Sequence, residues 1–426
     1  CTEEQLDIEI FPDRPDLLSG ETLAFAMANF LHGAPARPDM DVQPSGITVK
    51  VDSNLRDVRP VILGAVVRGV SLPDDSEGCE AFIKGLMDHQ EKLHFALGRR
   101  RQRASIGVHD LARLAPPFHV KTVGEKHAFV PLAREESMTI ADILTQHPKG
   151  IEYAGLLADM TSYPLIVDAD DAVLSFPPII NGDHTTVTHN TRDFFIDVTG
   201  WDERACEASL MLVCLQLIQW GGQVESVEIT TCEGDRIVSP IGTGKTHVVP
   251  EELVQNLLGR AFTDDELQVA VQRMGGRFEG RQPAPNDAPD HSTSMAVARA
   301  GTSELLFTMP RWRFDLLHPV DMVEELAIGH GYEDLGTDIP KATLTAQPRT
   351  DHHLRRRLRA SMEGMGMMQI QSLTLSNMDD QFMRMRWKPN HAVTTITNPI
   401  TVDHTVLRQH LMPGLLKLLA SNRHHD

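Results

Sequence analysis

The stretch FFIDVTGWDERACEASLMLVCLQLIQWGG, residues 194–222, decides the fold class. Residues 194–198 form a short apolar, β-branched run, which predicts a strand packed on both faces. Residues 203–219 are apolar nearly all round, so a helix formed there must be buried. Gly221 and Gly222 end that helix. A buried strand that leads directly into a buried helix indicates a core of mixed α+β structure.

The pattern towards the N-terminus adds more helices and strands. Ser19 is placed to cap a helix with an apolar face, and strand-like runs follow at 46–51 and 61–70, with a further one at 185–187. Residues 80–97 repeat apolar side chains at helical spacing and then enter the densest basic run of the chain, 99–103. That run is either a solvated helix end favoured by the helix dipole or a phosphate contact. Base rates favour the solvated end.

The pattern towards the C-terminus changes at about residue 240. We expect a strand and a helix beginning near Glu251, and a second helix capped by Thr263 and Glu266. Residues 280–302 predict a polar, proline-rich loop, and 305–309 a strand. The last segment, 351–426, begins as a basic helix and continues with a strand-like run from Gln369 to Leu375.

The composition limits the possible classes of function. The chain has 426 residues, 41% of them hydrophobic, which gives room for two to four domains. Its net charge of −19 argues against a dedicated duplex-binding protein, although a local basic surface remains compatible with it. No apolar run is long enough to span a bilayer. Five scattered cysteines without a C-x-x-C pair indicate a reducing compartment, and we expect a cytoplasmic protein. Because residue 1 is cysteine, we expect the natural start to be missing.

Two familiar motifs are present only in part. Residues 242–246, GTGKT, lack the first glycine of a phosphate-binding loop and precede a strand-like rather than a helical segment. His184 and His189 lack the further ligands and the defined turn of a zinc site. We interpret the first as a glycine-rich turn and the two histidines as ordinary core or surface residues.

Four carboxylates form the strongest local pattern, at Asp315, Asp321, Glu324 and Glu325. The last three share one face of a helix that begins at Pro319 and runs to about residue 328. Clustered carboxylates suit Mg²⁺, a hard cation that prefers oxygen ligands. Acidic residues in a first helical turn are also favoured by the helix dipole alone. The spacing by itself favours the dipole and leaves the metal open.

A third candidate site joins the proline-rich loop 175–182 to the strand 194–200. Asp197 and Thr199 alternate along that strand, so both side chains face the same way. An aspartate between isoleucine and valine needs partners if it is buried. It either belongs to a pocket or serves as a structural cap for the next helix. We expect a cavity between the proline segment and the Asp197 strand.

Seven segments together resemble the β subunit of phenylalanyl-tRNA synthetase, of the archaeal and eukaryotic type. In chain order these are EIFPDRPDLLS, GVHDLARLAPPF, HPKGIEYAGLL, SFPPIINGDHTTVT, FFIDVTGWD, RFDLLHPVDMVEELAIGHGY and TVLRQHLMPGLL. They span nearly the whole chain. Each motif alone is weak, and seven in the family's order are specific.

The resemblance implies an α+β multidomain chain. It divides into an N-terminal α+β domain (1–103, with a truncated start) and an editing domain of mixed sheet and helices (104–235). A small helical, winged-helix-like domain of the kind found in DNA-binding proteins (240–335) would carry the magnesium site. Residues 345–426 would be the truncated opening of a class II synthetase-like antiparallel-sheet module. In that module Arg408 stands where catalytic relatives bind ATP, and it is assigned no catalysis here.

The resemblance also implies the function. The β subunit supports ATP-dependent charging of tRNA(Phe) with phenylalanine by an α subunit, in an (αβ)₂ heterotetramer away from any membrane. Because a pocket built for phenylalanine rejects tyrosine poorly, a second site must hydrolyse mischarged tyrosyl-tRNA. By match to the family, Leu165 and Ser175 line that editing pocket. Asp197 orients water or the substrate ammonium group, and Thr199 hydrogen-bonds the ester. The four carboxylates would bind Mg²⁺.

Two other functions remain open from the sequence. A free-standing aminoacyl-tRNA deacylase would edit without any α subunit, although segment 351–426 would then have no purpose. A non-catalytic scaffold that binds tRNA and a partner would fit the acidic charge. Charging and misacylation assays on a chain co-expressed with an α subunit separate the three.

Overall fold

The computed structural model describes residues 7–73, 75–284, 303–336 and 346–424. The chain divides into two compact units, Cys1–Thr337 and Asp338–Asp426. No helix within the described ranges is long and apolar enough to cross a lipid bilayer.

A ten-stranded mixed sheet forms the centre of the first unit. Its spatial order is Ala104–Asp110, Phe194–Gly200, Val61–Arg68, Gln223–Thr230, Val42–Val51, Phe118–Val123, Tyr163–Val167, Val173–Phe176 and Ile180–Asn181, with Arg236–Ser239 paired to Gln223–Thr230. Val42–Val51 pairs in parallel with both of its neighbours, and the other pairings are antiparallel. A separate short pair joins Ala128–Phe129 to Met138–Thr139.

Helices cover this sheet. They are Gly20–His32, Ser76–Ala96, Ile140–Gln146, Pro148–Tyr153 and Glu203–Ile218. The predicted strand at 194–198 is confirmed and extends to Gly200, and all seven of its residues are buried. The predicted buried helix is confirmed as Glu203–Ile218. The Ser19 cap is also confirmed, since its hydroxyl accepts a hydrogen bond from the backbone N–H of Thr22 at 3.1 Å.

A smaller layer of the first unit has its own core. Three antiparallel strands lie in the order Lys245–Pro250, Ser303–Met309 and Arg277–Pro283. The helices Glu251–Leu258, Asp264–Arg273 and Pro319–His330 pack on them around apolar residues such as Phe307 and Leu326. The capping box of Thr263 and Glu266 is confirmed.

The second unit is described from residue 346. It contains the helices His352–Gly364 and Met412–Ser421, a π-helical turn at Asp379–Met383 and a two-stranded pair, Leu375–Ser376 with Val406–Leu407. Arg408 donates hydrogen bonds from Nη1 to the carbonyl oxygens of Ser372 and Leu373, both at 2.9 Å. Its guanidinium therefore holds the local backbone.

Some local expectations were wrong. Residues 183–185 form a 3₁₀ turn where a strand was expected at 185–187, because Thr185 bonds back to the carbonyl of Gly182. Strand Arg277–Pro283 includes the first residues of the loop expected at 280–302, and residues 285–302 lie outside the described ranges. Of the run Gln369 to Leu375, only Leu375 is in a strand.

The four domain boundaries expected from the resemblance stay predictions. The large sheet joins strands from both sides of residue 103, since Val61–Arg68 and Ala104–Asp110 flank the same central strand. The described cysteines, Cys79, Cys206, Cys214 and Cys232, are buried free thiols. Burial raises the pKa of Cys206 and of Cys214 to about 12, so both behave as small core residues.

Candidate functional site

A cavity of about 350 Å³ lies beside the edge strand Ala104–Asp110. Helix Ser76–Ala96 and the proline-rich segment after Val173–Phe176 form its other walls. The apolar part of its lining includes Ile83, Met87, Ile106, Val108, Leu132, Pro177, Ile179 and Val187. The polar part includes Gln90, Glu91, Arg101, Ser105, Lys149, Ser175, Asn181, Thr185 and Asp197. The structure thus has a cavity where we expected one, between the proline segment and the Asp197 strand.

Asp197 is the buried carboxylate of this cavity. Its Oδ2 lies 2.7 Å from Nε2 of His109, and the two side chains are 4% and 0% exposed. Nδ1 of His109 lies 2.8 Å from the hydroxyl of Thr185, which also donates to the carbonyl of Gly182 at 3.0 Å. A chain of hydrogen bonds therefore fixes one oxygen of Asp197 and leaves Oδ1 outside this contact.

A glycine on the neighbouring strand, Gly107, makes room for the aspartate in the sheet. Asp197 pairs with Gly64 on one neighbouring strand and with Gly107 on the other. A Cβ atom at position 107 would overlap Oδ2 of Asp197 and lie 2.7 Å from Nε2 of His109. Any residue other than glycine at position 107 would therefore displace the carboxylate of Asp197.

Thr199 belongs to a second polar cluster, centred on Arg59. Nε of Arg59 donates to the Thr199 hydroxyl at 2.7 Å, and Nη2 donates to the Thr199 carbonyl at 2.8 Å. The Ser105 hydroxyl lies 3.0 Å from that of Thr199 and accepts a further bond from Arg59. Since Ser105 lines the cavity and Thr199 does not, Thr199 reaches it only through Ser105.

Arg101 fastens the proline segment over the cavity. Its Nη1 donates to the carbonyls of Pro178 and Ile179 at 3.1 and 2.9 Å, while Nη2 meets Glu91 at 2.6 Å. Its guanidinium also stacks over the ring of Tyr153, 4.5 Å from the centroid. A hydrogen bond with His94, reinforced by Arg101, lowers the pKa of Glu91 to about 2. Arg101 thus holds the proline segment through two carbonyl groups, while Glu91 balances its charge.

The structure brings together only part of the predicted editing pocket. Ser175 and Asp197 line the same cavity. Leu165 is fully buried in the apolar cluster that also contains Phe176, so it supports the wall from behind. The contact of Thr199 with the ester stays a prediction, and in this structure its hydroxyl is engaged by Arg59 and Ser105.

His109, Arg59 and Arg101 belong to the site although the sequence patterns did not predict them there. His109 lies 88 residues before Asp197, and only the sheet register brings them opposite each other. A signal for His109 existed, since it lies in the segment GVHDLARLAPPF with apolar neighbours. Arg101 was recognised only as part of a basic run.

The four carboxylates expected to hold Mg²⁺ do not converge. Arg313 binds Asp315 at 2.6 and 2.9 Å and Glu325 at 2.6 Å. Asp321 accepts the backbone N–H groups of Leu317 and His318, both at 2.7 Å. Within the described ranges, no three histidine, cysteine or carboxylate groups are arranged to hold a metal ion. As placed, these residues do not fit a Mg²⁺ ion shared by all four, and Arg313 supplies the cation instead.

Burial alone would lower the pKa of Arg313, yet Glu325 and Asp315 hold it well above its usual value. Asp321 is the third residue of helix Pro319–His330 and closes a capping box with His318. The helix-end interpretation of the carboxylate pattern therefore describes Asp321.

Comparison with known proteins decides the family. Three family models match: the B3/4 domain over residues 65–213, the tRNA synthetase B5 domain over 248–332, and the phenylalanyl tRNA synthetase beta chain CLM domain over 335–426. The phenylalanine–tRNA ligase β subunit of Methanococcoides burtonii is 37% identical over 100% of this chain and 74% of its own length. That of Methanosarcina barkeri is 38% identical over 100% of this chain and 73% of its own length.

The chain belongs to the phenylalanine–tRNA ligase β-subunit family.

A solved structure agrees with this membership. An N-terminal fragment of the phenylalanyl-tRNA synthetase β subunit from Pyrococcus horikoshii matches with a TM-score of 0.65 and 31% identity. The match covers 75% of this chain and 85% of that one. Within the family frame, the cavity lies in the B3/4 match, whereas Arg59 lies just before it. The resemblance to the family and its archaeal relatives is confirmed.

Proposed function

We propose that this β subunit hydrolyses mischarged tyrosyl-tRNA in the cavity beside Ala104–Asp110, and that it acts with an α subunit that charges tRNA(Phe) in an (αβ)₂ assembly. The observation that carries the proposal is one buried carboxylate, Asp197, facing a largely apolar cavity of about 350 Å³. Ligand pockets of this size with few placed polar groups are typical of small-molecule sites.

The cavity suits a second, corrective selection. A first pocket that binds phenylalanine excludes tyrosine only about a hundredfold, because tyrosine adds one hydroxyl. A site with its own buried polar groups discriminates the other way, since phenylalanine leaves those groups without partners. Ser175 and Asn181 line this cavity and supply such groups, whereas the hydroxyl of Thr185 is already engaged by His109 and Gly182.

The proposed chemistry is ester hydrolysis by a positioned water molecule. Asp197 holds the water, or the substrate ammonium group, through Oδ1, while His109 fixes Oδ2. The water oxygen attacks the ester carbonyl carbon, the bond to the ribose oxygen breaks, and that oxygen leaves with a proton as the ribose hydroxyl. Thr199 and Arg59 position Ser105 at the wall of the cavity.

The complete ligase would use ATP and Mg²⁺ during charging, and no residue of this chain is assigned to either. The carboxylates around Arg313 do not fit the metal, so no step is derived from it.

The test is a deacylation assay on tyrosyl-tRNA with the reconstituted αβ complex. We expect Asp197→Ala to lower hydrolysis by about 100-fold or more, within the range for removing a positioned acid–base group. We expect Thr199→Ala to cause a smaller loss, because it acts through Ser105. Charging with phenylalanine is the control and stays unchanged. Undiminished hydrolysis in Asp197→Ala would remove this cavity from the function.

A further inference from the structure

A second cavity of about 490 Å³ lies on the other side of the wall formed by Ser105 and Thr199. Its lining includes Arg59, Arg99, Gln102, Arg103, Leu156 and Trp201. Three arginines in one small cavity contrast with the net charge of −19 of the whole chain. The local charge therefore favours an anion.

Arg59 is a buried cation that no carboxylate contacts directly within the described part of the chain. Within the described ranges, no carboxylate oxygen lies within 4.0 Å of its guanidinium nitrogens. The residue as a whole is only 3% exposed. Its hydrogen bonds to Thr199, Ser105 and Arg101 run from Nε and Nη2, and none of them uses Nη1. Burial lowers its pKa to about 10. Buried charges are normally paired, and the charge of Asp197 offsets only part of the effect of burial on Arg59. The Nη1 group therefore remains able to bind a further anion.

The backbone beside Arg59 is strained. Arg99, Arg100 and Arg101 all have left-handed conformations, with φ of 45°, 55° and 64°. Consecutive non-glycine residues in this region are rare, and such outliers cluster at functional sites. The strained turn places Arg101 in the wall of the first cavity and Arg99 in the second.

An exposed aromatic ring completes the second cavity. Trp201 is 49% exposed and lies directly after the strand that carries Asp197 and Thr199. Arg103 meets Asp202 only at 3.6 Å, and Asp202 is engaged as the cap of helix Glu203–Ile218. Exposed aromatic rings beside arginines are the pattern of single-stranded nucleic-acid binding, in which bases stack and phosphates pair with guanidinium groups.

We propose that this second cavity binds the single-stranded 3′ end of the RNA substrate, with phosphates at Arg59, Arg99 and Arg103 and one base on Trp201. The inference rests on the proposed function, because an aminoacyl group in the first cavity requires the preceding nucleotides to lie close by. The shared wall at Ser105 provides that proximity. In this proposal the basic run 99–103 contacts phosphate, which was the less favoured of its two interpretations from the sequence.

Steady-state hydrolysis of tyrosyl-tRNA by the αβ complex, over a series of salt concentrations, tests the inference. We expect Arg99→Gln and Arg103→Gln each to raise KM several-fold with kcat little changed. Each should also reduce the slope of log(1/KM) against log salt by about 0.7, the value for one lost phosphate contact on a single strand. Trp201→Ala should raise KM about tenfold, as expected for one lost stacked base. Arg236→Gln, an exposed arginine on strand Arg236–Ser239, is the matched control and leaves both constants unchanged.

The outcomes separate the inference from the proposed function. An unchanged KM and salt slope in all three cavity variants would overturn the RNA site, whatever Asp197→Ala does. A raised KM in these variants, together with full turnover in Asp197→Ala, would support the RNA site and reject the first cavity as the place of hydrolysis. The three substitutions lie on partly or fully exposed side chains, so folding of the variants is checked simply by unchanged phenylalanine charging.

Discussion

Asp197 lies between Ile196 and Val198 in a strand where every residue is buried. A buried carboxylate is costly unless it is paired and hydrogen-bonded. The sequence revealed this conflict, because an aspartate in an apolar run needs partners. It could not reveal the partner, since His109 comes from another strand and meets Asp197 only through the register of the sheet.

Glycine at position 107 is expected to be essential for hydrolysis. Gly107→Ala places a methyl group against Oδ2 of Asp197, so the carboxylate must move. We expect deacylation of tyrosyl-tRNA to fall by about 10- to 100-fold, a loss typical of small misplacements of a catalytic group. Gly85→Ala is the matched control, because nothing lies within 4 Å of its added Cβ. Equal hydrolysis by the two variants would contradict the assigned geometry.

His109 is expected to stabilise the fold as well as the site. His109→Leu leaves Asp197 as an unpaired buried charge, which costs about 3–5 kcal/mol in the free energy of unfolding. The double variant His109→Leu/Asp197→Asn should recover part of this loss, because the uncompensated charge is gone. Denaturant unfolding measures both. A double variant no more stable than His109→Leu would show that the pair contributes little.

At the scale of elements, helix Ser76–Ala96 connects the core to the cavity. On one side His89 bonds Oε1 of Gln216 in helix Glu203–Ile218 at 2.8 Å. On the other, Ile83, Met87 and Glu91 line the cavity. The turn after the helix then carries Arg101, and Gly98 permits its close approach to the carbonyl of Ala104. The left-handed arginines cost roughly 1–2 kcal/mol each, and the anchors of Arg101 help to offset this strain.

The contacts of Arg101 allow a test of how the proline segment is held. Arg101→Lys keeps the charge, but lysine lacks the planar guanidinium that bonds Glu91 and two carbonyl groups at the same time. We expect faster amide hydrogen exchange at residues 179–181 and a KM for tyrosyl-tRNA raised several-fold. Arg100→Lys, in the same basic run but exposed, is the control. Unaltered exchange in Arg101→Lys would show that the segment is held by other contacts.

The buried His89 predicts a pH dependence of stability. Burial lowers its pKa to about 4 from 6.5. Between these values the unfolded chain binds a proton that the folded chain does not, so stability is complete above pH 6.5 and falls as the pH drops towards 4. The loss is up to about 3 kcal/mol. Unfolding of His89→Asn should show less of this loss than His189→Asn, an exposed control. Parallel curves of unfolding free energy against pH for the two variants would contradict this role of His89.

Periodicity predicted most elements because each depends on local sequence. The buried strand, the buried helix and both caps follow from residue type and spacing alone. The turn at Asp183–Thr185 could not be predicted, because a side-chain bond from Thr185 replaced a strand. The site was predictable at Asp197 and Ser175. The roles of Arg59 and His109 could not be predicted, because both residues reach the site only through the pairing of distant strands and loops.

At the scale of the whole molecule, the first unit combines a large mixed sheet with a smaller layer that has its own core. Family membership extends over both units, since the three matched regions run from residue 65 to 426. The acidic net charge of −19 does not describe the second cavity, whose lining includes Arg59, Arg99 and Arg103. Local charge therefore carries more information on function than the total.

The carboxylate cluster gives a prediction about metal removal. Because Arg313 neutralises Asp315 and Glu325, chelation of Mg²⁺ should leave the melting temperature of the isolated β chain unchanged. Arg313→Met should destabilise it by about 3–5 kcal/mol, as expected when buried carboxylates lose their cation. Thermal unfolding with and without chelator measures both. A lower melting temperature after chelation would show that a metal ion, rather than Arg313, holds this cluster.

The most direct test of the account is a crystal structure of the αβ complex with a non-hydrolysable tyrosyl-adenosine amide. We expect the phenol ring between Pro177 and Val108, the amide beside Oδ1 of Asp197 and the adenosine directed towards Trp201. Density for the compound in the cavity near Trp312 and Phe25, with the cavity beside Ala104–Asp110 unoccupied, would contradict it.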